Sequence, residues 1–107
     1  MEIQNDDALV RVCRALGDPV RMRLLRRIAN ARQAPGLTDG RCQATVGVCF
    51  CQLCDEAGLS AATVSHHIKI LREAGIVEGI RVGRWTYYRM NAGFSASIER
   101  AFQQILG

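Results

Sequence analysis

The sequence predicts a mainly α-helical domain that carries one β-hairpin. Three observations support this. Apolar residues recur at i, i+3, i+4 spacing in several separate stretches. Two helical stretches are divided only by Gly58-Leu59-Ser60. Directly after them, IVEGIRVGRWTYYRM (residues 76–90) concentrates β-branched and aromatic residues around a break at Val82-Gly83-Arg84, the pattern of a hairpin. At 107 residues the chain reads as a single domain, 1–107, with room for a modest core.

Asp7 to Leu16 places Leu9, Val12, Cys13 and Leu16 on one face, so this stretch is an amphipathic helix, with Cys13 packed in its stripe and Gly17 at its end. Asp18-Pro19 opens a second helix. Asp18 is its N-cap, and Pro19 stands at N1, where a missing N–H costs nothing. Val20, Leu24, Leu25 and Ile28 form the buried stripe of that helix, which fades near Ala31. Residues 34–47 read as loop, and Asp39-Gly40 within them suits a tight turn. A third helix is expected over Phe50 to Ala57, stopped by Gly58 at C′. Ser60 caps a fourth, in which Val64, Ile68 and Leu71 face inward and which Gly75 ends. The last helix, Phe94 to Leu106, sets Phe94, Ile98, Ala101, Phe102 and Ile105 at helical spacing.

The formal charge is +4, and 13 of the 14 basic residues are arginine, many of them in the run Arg21, Arg23, Arg26, Arg27 and Arg32. A basic chain is compatible with a nucleic-acid partner, although such a run is more often a solvated helix face. No apolar run approaches the roughly 18 residues of a membrane span, and the opening MEIQNDD lacks the basic stretch of an export signal. The expected location is the cytoplasm, with no membrane partner. In that reducing setting the five cysteines, Cys13, Cys42, Cys49, Cys51 and Cys54, are expected to be thiols rather than a disulfide framework.

Two short helices joined by a three-residue turn form a helix-turn-helix, and the hairpin behind them is a wing. The N-terminal part of the second helix of such a unit enters the major groove of double-stranded DNA. With Val64, Ile68 and Leu71 inward, Ala61, Ala62, Ser65, His66 and Lys69 lie largely outward. Ser60, Thr63 and Ser65 suit bonds to phosphate or base, His66 lies among them, and Lys69 suits a phosphate. Arg81 and Arg84 flank the wing tip, within reach of the minor groove or backbone. His67 is expected to be structural. The first and last helices each carry an apolar stripe that one small domain cannot fully cover. A homodimer built on those two helices is therefore expected, and it would match two half-sites on DNA.

Taken together, ALGDPVRMRLL (15–25), LSAATVSHHIKILREAGIV (59–77) and RVGRWTYYRM (81–90) resemble the ArsR/SmtB family of winged helix-turn-helix, metal-responsive repressors. The resemblance spans nearly the whole chain and implies a DNA-binding repressor, not an enzyme. The chain departs from the family where Ala61-Ala62 replaces a frequent Gln-Pro and His66 a frequent Arg. Its loop at about residues 33–47 is also longer than the family usually has, and reads as an insertion.

Cys49, Cys51 and Cys54 fall within six residues, VCFCQLCDEAGLS being residues 48–60. Thiolates are soft donors that select thiophilic ions over magnesium or calcium. The spacing C-x-C-x-x-C is similar to that of the arsenic-sensing branch of the family, which implies that these three cysteines bind As(III) or Sb(III) as inducer. Three donors suit a pyramidal trivalent centre, whereas a closed zinc site normally takes four. On a regular helix Cys51 lies about 200° and Cys54 about 140° round from Cys49. Cys51 and Cys54 are then neighbours and Cys49 is opposite, so an ion held by all three requires the chain near Cys49 to Cys51 to leave helical geometry. Cys42 stands as a spare thiol or an extra ligand. The family's zinc and nickel sensors draw Asp and His from the last helix, which has no such pair here, and its cadmium and lead sensors recruit further cysteines from an N-terminal arm, where only Cys13 is present. A thiol redox switch or another soft-metal (Cd, Pb or Zn) sensor on the same fold is the alternative. A thiol-disulfide oxidoreductase built on Cys51-Gln-Leu-Cys54 is more distant, because no strand or βαβ pattern precedes the motif.

Overall fold

The computed structural model describes residue 3 and residues 5–30 and 46–107. The expected Asp39-Gly40 turn, Arg32, Cys42 and all but the end of the long loop lie outside the described residues. Among the described residues five helices and three strands follow in order: α1 (Asp6–Leu16), α2 (Pro19–Ala29), β1 (Val48–Cys49), α3 (Phe50–Ala57), α4 (Ala61–Glu73), β2 (Val77–Val82), β3 (Trp85–Met90) and α5 (Phe94–Leu106).

Short-range chemistry sets most of the boundaries. The Asn5 side-chain oxygen accepts from the Ala8 N–H at 2.8 Å and opens α1. Asp18 Oδ1 accepts from the Val20 and Arg21 N–H groups at 2.9 and 3.1 Å and opens α2 ahead of Pro19. Those two bonds, that from Arg21 first, hold the Asp18 carboxyl below its usual range. The hairpin pairs Val82 with Trp85 across Gly83-Arg84. Gly83 takes a φ of 61°, a positive first turn position as in type II′ hairpins. At the base of the hairpin Asn91 donates from its side chain to the Gly75 carbonyl at 2.7 Å and from its backbone to that of Ile76 at 3.0 Å. The end of α4 and the root of the wing are thereby fastened together.

The sheet order is β1-β3-β2, all antiparallel. Val12, Leu24, Ile28, Leu53, Val64, Ile68, Leu71, Ile76 and Val77 form the core between the helices and the sheet. Two expectations are corrected here. A short strand, β1, precedes α3 where loop running into helix was expected. It pairs Val48 with Tyr88 and Cys49 with Tyr87, so a partner some 40 residues away in sequence defines it. Cys13 is exposed rather than packed. The buried side of α1 is Leu9, Val12 and Ala15, and Cys13 falls on the flank with Val10, its i−3 neighbour, which is 47% exposed.

Candidate nucleic-acid interface and thiol cluster

The turn between α3 and α4 depends on Gly58, whose φ of 66° lies in the left-handed region and whose N–H bonds the Cys54 carbonyl at 3.0 Å. Ser60 Oγ accepts from the Thr63 N–H at 3.1 Å and sits 2.9 Å from Thr63 Oγ1. These two hydroxyls, expected to reach DNA, are thus first engaged in capping α4, and each retains further hydrogen-bonding capacity. Ser65, His66 and Lys69 are exposed on the face opposite the buried Val64, Ile68 and Leu71. Lys69 Nζ makes only a loose 3.9 Å pair with Glu73, both ends in solvent, an interaction worth little in itself. At the wing tip Arg81 donates to the Gly83 carbonyl at 3.2 Å, while the Arg84 guanidinium lies 5.0 Å from the centre of the Trp85 ring. Four exposed basic or imidazole side chains therefore occupy one helix face and the adjoining wing.

Arg21 and His67 connect this helix to the rest of the fold, a role the sequence did not reveal for Arg21. Arg21 Nε donates to the Ala15 carbonyl at 2.7 Å, Nη2 reaches the Arg14 carbonyl at 3.3 Å, and Nη1 meets His67 Nδ1 at 3.1 Å. A guanidinium only donates, so Nδ1 accepts in this arrangement. One side chain thus closes the end of α1 and binds α2 to α4. His67 is largely buried, as expected for a structural histidine, with its ring edge-on to that of His66. Arg27 pairs with Glu56 at 2.6 Å and joins α2 to α3. Arg21 and Arg27, two members of the arginine run, are structural ties rather than parts of a solvated face.

Cys49 is 1% exposed, at the end of β1 and at the N-cap of α3, with an extended backbone (φ −63°, ψ 139°). Its Sγ is 2.9 Å from that of Cys51 in the first turn of α3. This corrects the helical-wheel expectation for Cys49, which stands outside the helix with its sulfur against that of Cys51 rather than opposite it. Cys54 is half-buried against the core. Burial, then the Asp55 carboxylate and Cys51, push its thiol above the ordinary range. Among the described residues no three Cys, His, Asp or Glu side chains are already gathered into a group able to hold a metal ion. The structure therefore presents a preformed pair of thiols with Cys54 one helical turn on.

A helix-turn-helix whose second helix is followed by a hairpin packed at its end is a winged helix-turn-helix DNA-binding transcriptional regulator. Residues 48–79 match the family model described as bacterial regulatory protein, arsR family. An uncharacterized HTH-type transcriptional regulator of Methanocaldococcus jannaschii is 31% identical over 77 residues, 72% of this chain and 71% of that protein. The arsenic resistance transcriptional regulator of Pseudomonas putida is 43% identical over 44 residues, 41% of this chain and 34% of that protein. The homodimeric winged helix-turn-helix DNA-binding domain of a possible ArsR-family regulator from Mycobacterium bovis has the same fold, with a TM-score of 0.62 at 22% identity, 99% of this chain and 87% of that chain being covered. The chain belongs to the ArsR family of transcriptional repressors. No described helix is long and apolar enough to cross a membrane.

Proposed function

We propose that the chain represses transcription as a homodimer and leaves its operator when As(III) or Sb(III) is held by Cys49, Cys51 and Cys54. The observation that carries this reading is the 2.9 Å approach of the Cys49 and Cys51 sulfurs at the junction of β1 and α3. The donor set fits a trivalent thiophilic ion: three soft sulfurs, two of them already adjacent. The name of the Pseudomonas putida relative points to the same class of inducer. Residues 1–107 serve as one DNA-binding domain with its dimer surface on α1 and α5, and the loop at about 33–47 is an insertion into it.

The coupling follows from position. Cys49 is fixed by the pairing of β1 with β3, one strand of the wing, and Cys54 by the packing of α3 on the core. Drawing Cys54 to the pair moves the first two turns of α3, the helix that supports α4 through Gly58. A reading head shaped by the ion and one shaped for DNA then compete, and the difference in affinity between the two states is the coupling free energy. DNA is held by Ser65, His66 and Lys69 of α4, by Ser60 and Thr63 at its start, and by Arg81 and Arg84 of the wing.

The test is an arsenite titration of a labelled operator complex. Wild-type protein should release DNA. Cys49→Ser, Cys51→Ser and Cys54→Ser should bind DNA normally and need at least about tenfold more arsenite, since each lost donor weakens the chelate. Release of all three variants at the wild-type concentration would remove the cluster as sensor.

A further inference from the structure

We propose that hydroperoxides oxidise Cys49 and Cys51 to a disulfide, and that this modification silences the metalloid response while leaving the operator bound. The inference rests on the proposed role of the thiol cluster and adds a control on it. The two sulfurs lie 2.9 Å apart. A disulfide bond is about 2.05 Å long, so closure needs about 0.9 Å of approach. Cys49 has extended backbone at the N-cap of α3 and its sulfur meets that of Cys51, whereas Cys54 sits a full turn further along α3.

Exposure assigns the order of events. Cys49 is buried and Cys51 is half-buried, so the peroxide meets the sulfur of Cys51. That thiol takes one oxygen from the hydroperoxide: the O–O bond breaks, a sulfenic acid forms and an alcohol (water, from hydrogen peroxide) leaves. The Cys49 thiol then attacks the sulfenic sulfur, the S–O bond breaks, the S–S bond forms, and water carries away the hydroxyl and the thiol proton. The pair has lost two electrons to the peroxide. A bridge across one intervening residue belongs with the strained, labile disulfides, so thiol reductants reopen it.

The consequence differs from that of the inducer. Oxidation consumes two of the three donors, which leaves Cys54 alone and unable to hold the ion. It also draws together only the sulfurs that already touch, so α3, α4 and the wing keep their places. Oxidised protein therefore remains a repressor that arsenite does not release.

The experiment compares reduced wild-type protein and Cys54→Ser before and after hydrogen peroxide. Intact mass should fall by about 2 Da in both, with peptide mapping placing the bridge between Cys49 and Cys51. Operator affinity should stay within about threefold. The arsenite needed for release by the oxidised wild type should rise at least about tenfold, and dithiothreitol should restore it. Oxygen addition at Cys51 without loss of mass, a bridge to Cys54, or release of DNA on oxidation alone overturns the proposal. If the reduced wild type keeps its operator at every arsenite concentration, the metalloid reading and the silencing both fail, and the mass shift still decides whether the pair closes.

Discussion

Gly47 determines where the thiol pair sits, although it carries no side chain. Its φ is 147°, and a Cβ there would lie 2.5 Å from the Tyr88 carbonyl oxygen and 2.9 Å from the carbonyl carbon. The neighbour is sheet backbone and cannot give way, so any side chain pushes β1 off β3. Gly47→Ala should lower stability by about 2 kcal/mol, in the range of other overpacked sites. Urea unfolding should show a lower midpoint at an unchanged slope. Since β1 carries Cys49, the same variant should also need more arsenite for release. At Cys54 the raised thiol pKa has its own consequence. A group whose pKa is higher in the folded chain adds stability below the ordinary thiol range, and that stability is lost as pH rises through the folded value. Alkylation of Cys54 should accordingly begin at higher pH than for a free thiol, and unfolding in urea should erase the difference. A rate profile that matches free cysteine would show that burial does not protect it. Neither geometry was legible from spacing. The helical wheel put Cys49 opposite the other two thiols because C-x-C-x-x-C crosses the boundary between β1 and α3, and the fold fixes that boundary through Tyr87 and Tyr88. For Cys13, periodicity alone does not say how far round α1 the domain covers, and the buried side is Leu9, Val12 and Ala15.

At the level of elements, the reading head was legible because its punctuation is local. Gly58, Ser60, Gly75 and the Val82-Gly83-Arg84 break act through backbone conformation and capping within a few residues, and the helices and the hairpin fall where those signals place them. What local chemistry did not reveal is how the elements are joined. Arg21 looked like one charge in a run, yet its bonds to Arg14, Ala15 and His67 depend on the packing of α1, α2 and α4. The exposed residues of α4 and the wing offer two kinds of chemistry for the proposed DNA contact. Lys69 and Arg84 carry charge into solvent, so they should act on phosphates. Replacing either by Ala should weaken binding to every sequence and reduce the salt slope by about 1. Ser65 and His66 stand on the same exposed face of α4 without a fixed charge, and Ser65→Ala or His66→Ala should change sequence preference more than salt dependence. Competition binding on a panel of operator variants at two salt concentrations separates these outcomes. A uniform loss for all four substitutions would mean that α4 makes backbone contacts only.

For the whole molecule the question is what covers the outer faces of α1 and α5. In α5 the inner side, Phe94, Ser97 and Ala101, is buried, and Ser97 Oγ accepts from the Ile3 N–H at 2.9 Å. Beside that side Phe102 and Leu106 are 39 and 80% exposed, Ile105, in line with Ala101 and near Leu9, is 57% exposed, and Val10 of α1 adds to the apolar surface. A stripe of that kind on a small domain is characteristic of an interface, and a two-fold copy of the same surface is the economical partner. Two copies would carry a charge of +8, twice the +4 of one chain, and would present two reading heads to one duplex. Binding of the second head would then be intramolecular, which multiplies affinity by a factor on the order of 10² to 10⁴ without any new contact. Leu106→Glu places a charge in the exposed stripe, away from the buried side of α5. It should leave the helical circular dichroism unchanged, halve the mass seen by light scattering at micromolar concentration, and weaken binding to a full operator by about a hundredfold, while binding to a single half-site changes little. Wild-type protein that scatters as a monomer, or a variant that keeps full operator affinity, would show that one chain reads the DNA alone and that another partner covers the stripe.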